Sequence, residues 1–179
     1  MMKRSDCILT INKHFFSPLA PTPENICIED IAHALSYMCR ANGHFKSFFS
    51  VAQHSLNCAL EGKARGYTKK QQLACLLHDA SEAYLSDITR PVKHHLTNYL
   101  EIERNLQNVI WSKFGLELSE DDLKLISAAD DCMLYYEFAV LADAKLFDNP
   151  PEIKSQPDFS QRDFTSVKQD FLDLYRSLV

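Results

Sequence analysis

The sequence predicts an all-α protein of about five to seven helices. Three observations carry this. Glycine is scarce, with four residues in 179. Prolines fall in clusters, which leaves long stretches free of helix breakers. Apolar residues recur at three- and four-residue spacing through most of the chain, with no confident alternating strand pattern.

The elements follow in order. Between Thr10 and Asn25, Pro18, Pro21 and Pro23 exclude a helix and favour an extended segment or a short hairpin. Ile31, Ala34, Leu35 and Met38 mark a first helix from Glu29 to Arg40, ended by the loop at Asn42-Gly43. A second runs from Val51 to Ala64, closed by Gly66. Thr68 and Gln71 have capping-box spacing and open a third, from Lys69 to Leu85. A loop from Ser86 to Pro91 precedes a fourth, from Leu96 to Phe114. Ser119 and Asp122 form a second capping box, for a fifth helix reaching Ala144. Pro150, Pro151 and Pro157 mark a loop before an amphipathic helix from Phe164 to Leu178, which can pack on the core or on a second subunit. The expected organisation is one domain over 1–179, with its core at 28–145 and a tail at 146–179.

Bulk properties narrow the function. Apolar residues make up 46% of the chain, enough for a sizeable core. The net charge is −5 without a Lys/Arg block, which disfavours a nucleic-acid polymer as partner and leaves room for a small anionic substrate. The six cysteines form no C-x-x-C pair and read as reduced, buried thiols of a cytoplasmic protein. The N-terminal MMKRSDCILTINKHFF lacks the apolar stretch of a signal peptide. No run approaches the roughly 18 apolar residues of a membrane span.

Chemistry concentrates in three helices. His78-Asp79 lies in the apolar stretch LACLLHDASEAYL, and an ionised Asp is costly to bury unless it is paired or binds a metal. In an unbroken helix Glu82 falls one turn after His78, with Asp87 just beyond. A lone His-Asp pair usually carries no function. His54 in SVAQHSL and Asp130 in LISAADDCML add a polar residue to the apolar middle of two more helices. Each alone reads as a satisfied core group. Together they match the way helix bundles build metal sites from inward side chains. Two imidazoles and two carboxylates suit a single divalent ion such as Mn, Co, Ni, Fe, Mg or Zn.

The order H…HD…D, with the block LLHDASEAYLSDITRPVK, resembles the HD-superfamily metal-dependent phosphohydrolases. It is most similar to HD-domain 5′-deoxynucleotidases and their bacterial and phage relatives, over roughly residues 28 to 145. The resemblance implies an HD-domain helical bundle. It implies metal ligands at His54, His78, Asp79 and Asp130, with Asp130 favoured over Asp131 by its A-A-D context. Glu82 falls on the residue that handles the attacking water, and Asp87 on an acidic residue at the substrate side. Arg40 lies near a phosphate-binding arginine, and Lys93 is a further cation for substrate. Two positions differ from the group. Gln53 stands where Glu is common, and Ala41 where an aromatic shapes the sugar pocket, so a 2′-deoxy preference does not carry over.

The expected activity is metal-dependent removal of phosphate from a nucleotide, foremost a nucleoside 5′-monophosphate, by a homodimer. The alternatives are a phosphodiesterase or hydrolase of a larger nucleotide, and a metal-binding regulatory module without catalysis.

Overall fold

Residues 4–179 are described by a computed structural model, and they are predominantly α-helical. A two-stranded antiparallel hairpin, β1 (Ile8–Leu9) with β2 (Phe15–Phe16), opens the chain, with Ile8 opposite Phe16. Eight α-helical segments follow. They are α1 (Ile28–Tyr37), α2 (Val51–Ala64), α3 (Lys69–Leu77), α4 (Glu82–Leu85), α5 (Arg90–Lys93), α6 (Thr97–Lys113), α7 (Glu120–Leu141) and α8 (Phe164–Leu178).

Local chemistry sets several helix ends. Both expected capping boxes form: Thr68 with Gln71 at α3, and Ser119 with Asp122 at α7. A third, Ser50 with Gln53, starts α2. Asp163 accepts from the backbone N–H groups of Thr165 and Ser166 and starts α8. Gly66, at φ 81°, ends α2 in the left-handed conformation that glycine adopts without steric cost.

Three expectations are corrected. The first helix stops at Tyr37, not Arg40. Residues 38–40 instead run extended against the start of α2, with Cys39 bridging Ser50 and Arg40 N–H donating to the Phe49 carbonyl at 2.9 Å. The third helix is broken at His78-Asp79 into α3 and α4. There the side-chain amide of Gln107, on α6, inserts into the backbone ladder. Its Nε2 donates to the Leu77 carbonyl at 2.8 Å, and its Oε1 accepts from Ser81 N–H at 3.1 Å. These are the two groups that a continuous helix would join to each other. Finally, the expected loop before Leu96 contains α5, with a proline in its first turn.

The main core joins α1, α2, α3, α6, α7 and α8 through fully buried Ile31, Leu35, Leu76, Leu77, Leu106, Ile110, Met133 and Phe171. The C-terminal helix therefore packs on this core, burying Val167, Phe171 and Leu172. Before it, residues 152–160 cross α2 as an extended strap. Gln53, Asn57 and Glu61, each four residues from the next, hold it like rungs. Gln53 Nε2 donates to the Ser160 carbonyl at 2.9 Å. Asn57 exchanges hydrogen bonds with the backbone of Asp158 at 3.1 and 3.2 Å. Glu61, fully buried, accepts from Ser155 N–H, Ser155 Oγ and Lys154 N–H, and from Arg65 Nε on its own helix. All six cysteines are free thiols. Among the described residues, no helix is long and apolar enough to cross a membrane.

Candidate metal centre

His54 projects from the first half of α2 and is fully buried. His78 and Asp79 come from the break between α3 and α4, and Asp130 from the middle of α7. Their donor atoms converge. His54 Nε2 lies 3.2 Å from His78 Nε2, 3.1 Å from Asp130 Oδ1 and 3.6 Å from Asp79 Oδ2. His78 Nε2 lies 3.3 Å from Asp79 Oδ2 and 3.8 Å from Asp130 Oδ1.

The outward nitrogens fix the tautomers. His54 Nδ1 faces Glu137 Oε1 at 2.5 Å, and an ionised carboxylate only accepts, so Nδ1 carries the proton. His78 Nδ1 donates to the Cys75 carbonyl at 2.7 Å. Both imidazoles therefore turn an Nε2 lone pair toward the same point. Two lone pairs and two carboxylate oxygens within this span form a set of acceptors without a donor among them. A divalent cation satisfies all four, and orienting bonds on the far nitrogens are the usual companions of metal-bound histidines. The donor set fits a metal ion.

The electrostatics agree. Burial alone would lower the His54 pKa, but Cys58, Glu137 and Asp130 carry it well above its ordinary value. Burial also works against His78, and Asp79 and Asp130 raise it. Burial would raise the Asp130 carboxyl, but hydrogen bonds from the two histidines hold it well below the usual carboxylate range. The cluster thus attracts positive charge where a metal would bring it.

Glu82 begins α4 and is 4% exposed. Its Oε2 has no hydrogen-bond partner, and its Oε1 lies 3.7 Å from Lys93 Nζ. Burial, then the charges of Asp79 and Asp87, push its pKa well above the ordinary value. Lys93 is also paired with Glu103 at 2.6 Å, so it is held in place. Asp87 is half-buried, and its carboxyl is raised by burial while Arg40 opposes. Arg40 is buried, its Nε on Glu137 Oε2 at 3.0 Å and its Nη1 on Asp79 Oδ2 at 3.4 Å. Its position follows from the extended segment 38–40.

Three neighbours were not anticipated. Glu137 bridges His54 and Arg40. It lies two helical turns after Asp130 in the apolar stretch LYYEFAVL, and that spacing was its signal. Arg90 holds Asp130 Oδ2 at 2.7 Å and Asp131 Oδ1 at 2.9 Å, half exposed. Asp131 is thereby turned to Arg90. Cys58 places its Sγ 3.4 Å from His54 Nε2. With His54, His78 and Asp130 it forms a group whose ligand atoms all lie within 4.8 Å of one another. Gln53 spends its side chain on the helix cap and on the strap.

No family model matches this chain. It is similar to YfdR, an uncharacterized protein of Escherichia coli (strain K12), with 38% identity over 104 residues, 58% of this chain and 55% of YfdR. It is also similar to an uncharacterized protein of Rhodobacter capsulatus, with 40% identity over 119 residues, 63% of this chain and 61% of that protein. The chain is thus matched to little more than half the length of these curated relatives.

Proposed function

We propose that this protein is a metal-dependent phosphohydrolase that removes phosphate from a small nucleotide, foremost a nucleoside 5′-monophosphate. The observation that carries the reading is the meeting of His54 Nε2, His78 Nε2, Asp79 and Asp130 beside a buried carboxylate, Glu82, with one oxygen unpartnered. The resemblance to HD phosphohydrolases supplies the reaction class.

Four side chains, His54, His78, Asp79 and Asp130, would hold the ion. When bound, it supplies Lewis acidity toward phosphoryl oxygens and water. The remaining steps belong to the chain. Glu82, free at Oε2, takes the proton from the attacking water. Lys93, fixed between Glu82 and Glu103, keeps positive charge beside that carboxylate. Arg90 and Arg40 each lie against a metal-binding aspartate and offer guanidinium edges to a phosphate. Asp87 stands on the substrate side, where it binds a sugar hydroxyl or protonates the leaving oxygen. The loose transition state of a phosphate monoester spreads charge over its oxygens, so positioned cations carry much of its stabilisation.

The test is phosphate release from ribo- and deoxynucleoside 5′-monophosphates by chelator-stripped protein resupplied with Mn, Co, Ni, Mg or Zn. Metal-dependent release supports the reading. A protein that binds metal tightly and releases no phosphate from any of them would overturn the monophosphatase assignment.

A further inference from the structure

This inference rests on the metal-centre reading and concerns which atoms complete it. Cys58 follows His54 by one turn of α2 and is 1% exposed. Its sulfur lies 3.4 Å from His54 Nε2 and 3.8 Å from Nδ1. Its other polar neighbour, the Ala129 carbonyl, is 4.0 Å away. A buried thiol is ordinarily a small hydrophobe, but this one is turned toward the convergent histidine nitrogen.

The distances have the scale of a coordination shell. With metal–nitrogen bonds of about 2.0–2.1 Å and metal–sulfur bonds of about 2.3 Å, a tetrahedral site has ligand-to-ligand edges of roughly 3.3–3.6 Å. The edges from His54 Nε2 are 3.2 Å to His78, 3.1 Å to Asp130 and 3.4 Å to Cys58. The His78–Asp130 edge is 3.8 Å. An S–H···N hydrogen bond would satisfy one acceptor, His54 Nε2, and leave His78 and the aspartates facing one another.

We propose that Cys58 Sγ is a fifth protein donor to the metal, alongside His54, His78, Asp79 and Asp130. On binding, the thiol proton passes to solvent, the sulfur–metal bond forms, and no electron is transferred. A thiolate in the shell favours Zn, Co or Fe over Mg and Mn.

The experiment is cobalt substitution, read by absorption. Stripped full-length protein is titrated with cobalt(II) chloride. The expected result is visible ligand-field bands together with a near-ultraviolet sulfur-to-cobalt charge-transfer band. In Cys58→Ser and Cys58→Ala the near-ultraviolet band disappears while the visible bands remain. Their cobalt and zinc affinities fall on the order of tenfold or more, and magnesium affinity is unchanged. Cys75→Ser, altering a buried thiol outside the cluster, keeps the band. Wild-type protein with ligand-field bands but no charge-transfer band would overturn the role of Cys58 and leave the metal centre standing. Survival of the band in Cys58→Ser assigns the sulfur elsewhere and overturns it too. Failure of wild type to take up cobalt would overturn both readings.

Discussion

His54 gives its Nδ1 proton to Glu137 across 2.5 Å, with both side chains fully buried. The second oxygen of the same carboxylate accepts from Arg40. One residue therefore sets the tautomer of a metal-facing histidine and neutralises a buried guanidinium.

Glu137→Gln should keep the fold and lower metal affinity about 10- to 100-fold, the usual loss when an orienting partner of a metal histidine is weakened. Isothermal titration of stripped protein measures it. Glu137→Ala should also lower stability by about 3–5 kcal/mol, because Arg40 loses its closest buried counter-charge. Urea unfolding separates the two effects.

Asp79→Asn should abolish both metal uptake and phosphate release. Glu82→Gln and Glu82→Ala should retain stoichiometric metal and lose turnover by about 100-fold or more, the scale of general acid–base catalysis. Metal content and phosphate release on the same preparations check this. Activity retained in metal-free Asp79→Asn would contradict the proposed chemistry.

Gln107→Ala should destabilise the fold by about 1–3 kcal/mol, since it strips partners from Leu77 C=O and Ser81 N–H. Metal affinity should fall as well. Without the inserted amide, those two groups can pair directly and draw the backbone at His78-Asp79 back toward a regular helix. Circular dichroism with metal titration tests both parts.

Acid should weaken the fold through carboxylates far from the centre. Hydrogen bonds from Gln71, Ser119 N–H and Lys70 hold Asp122 well below the usual carboxylate range. Burial would raise Glu61, but Ser155, Arg65 and the strap backbone lower it. A folded-state pKa below the unfolded one stabilises above the unfolded value, near pH 4, and that contribution is lost as pH falls further. The stability gap between wild type and Asp122→Asn should therefore narrow on acidification below about pH 4. Urea midpoints across that range measure it.

The bounds of α2 and α8 were legible because local signals set them: Gly66 after α2, and amphipathic spacing through α8. The ends of α1 and α3 were not, because distant residues decide them. Phe49 draws Arg40 out of the first helix, and Gln107, from another helix, breaks the third. The convergence of His54, His78, Asp79 and Asp130 was readable as polar residues in apolar helix centres. Glu137 carries the same signal, but it has no place in the recognised motif and was passed over. Arg90 and Cys58 were hidden for other reasons. One sits in a turn that read as loop, and the other belongs to a residue type that normally fills core space.

The strap gives α2 two duties. One side of the helix fixes His54, while Gln53, Asn57 and Glu61 fasten the chain's last third. Fastening and metal uptake therefore draw on one rigid body and are thermodynamically linked. Whatever factor metal adds to the docking of the tail, docking returns to metal affinity. Amide protons of Lys154, Ser155 and Asp158 become reporters of occupancy at a centre they do not touch.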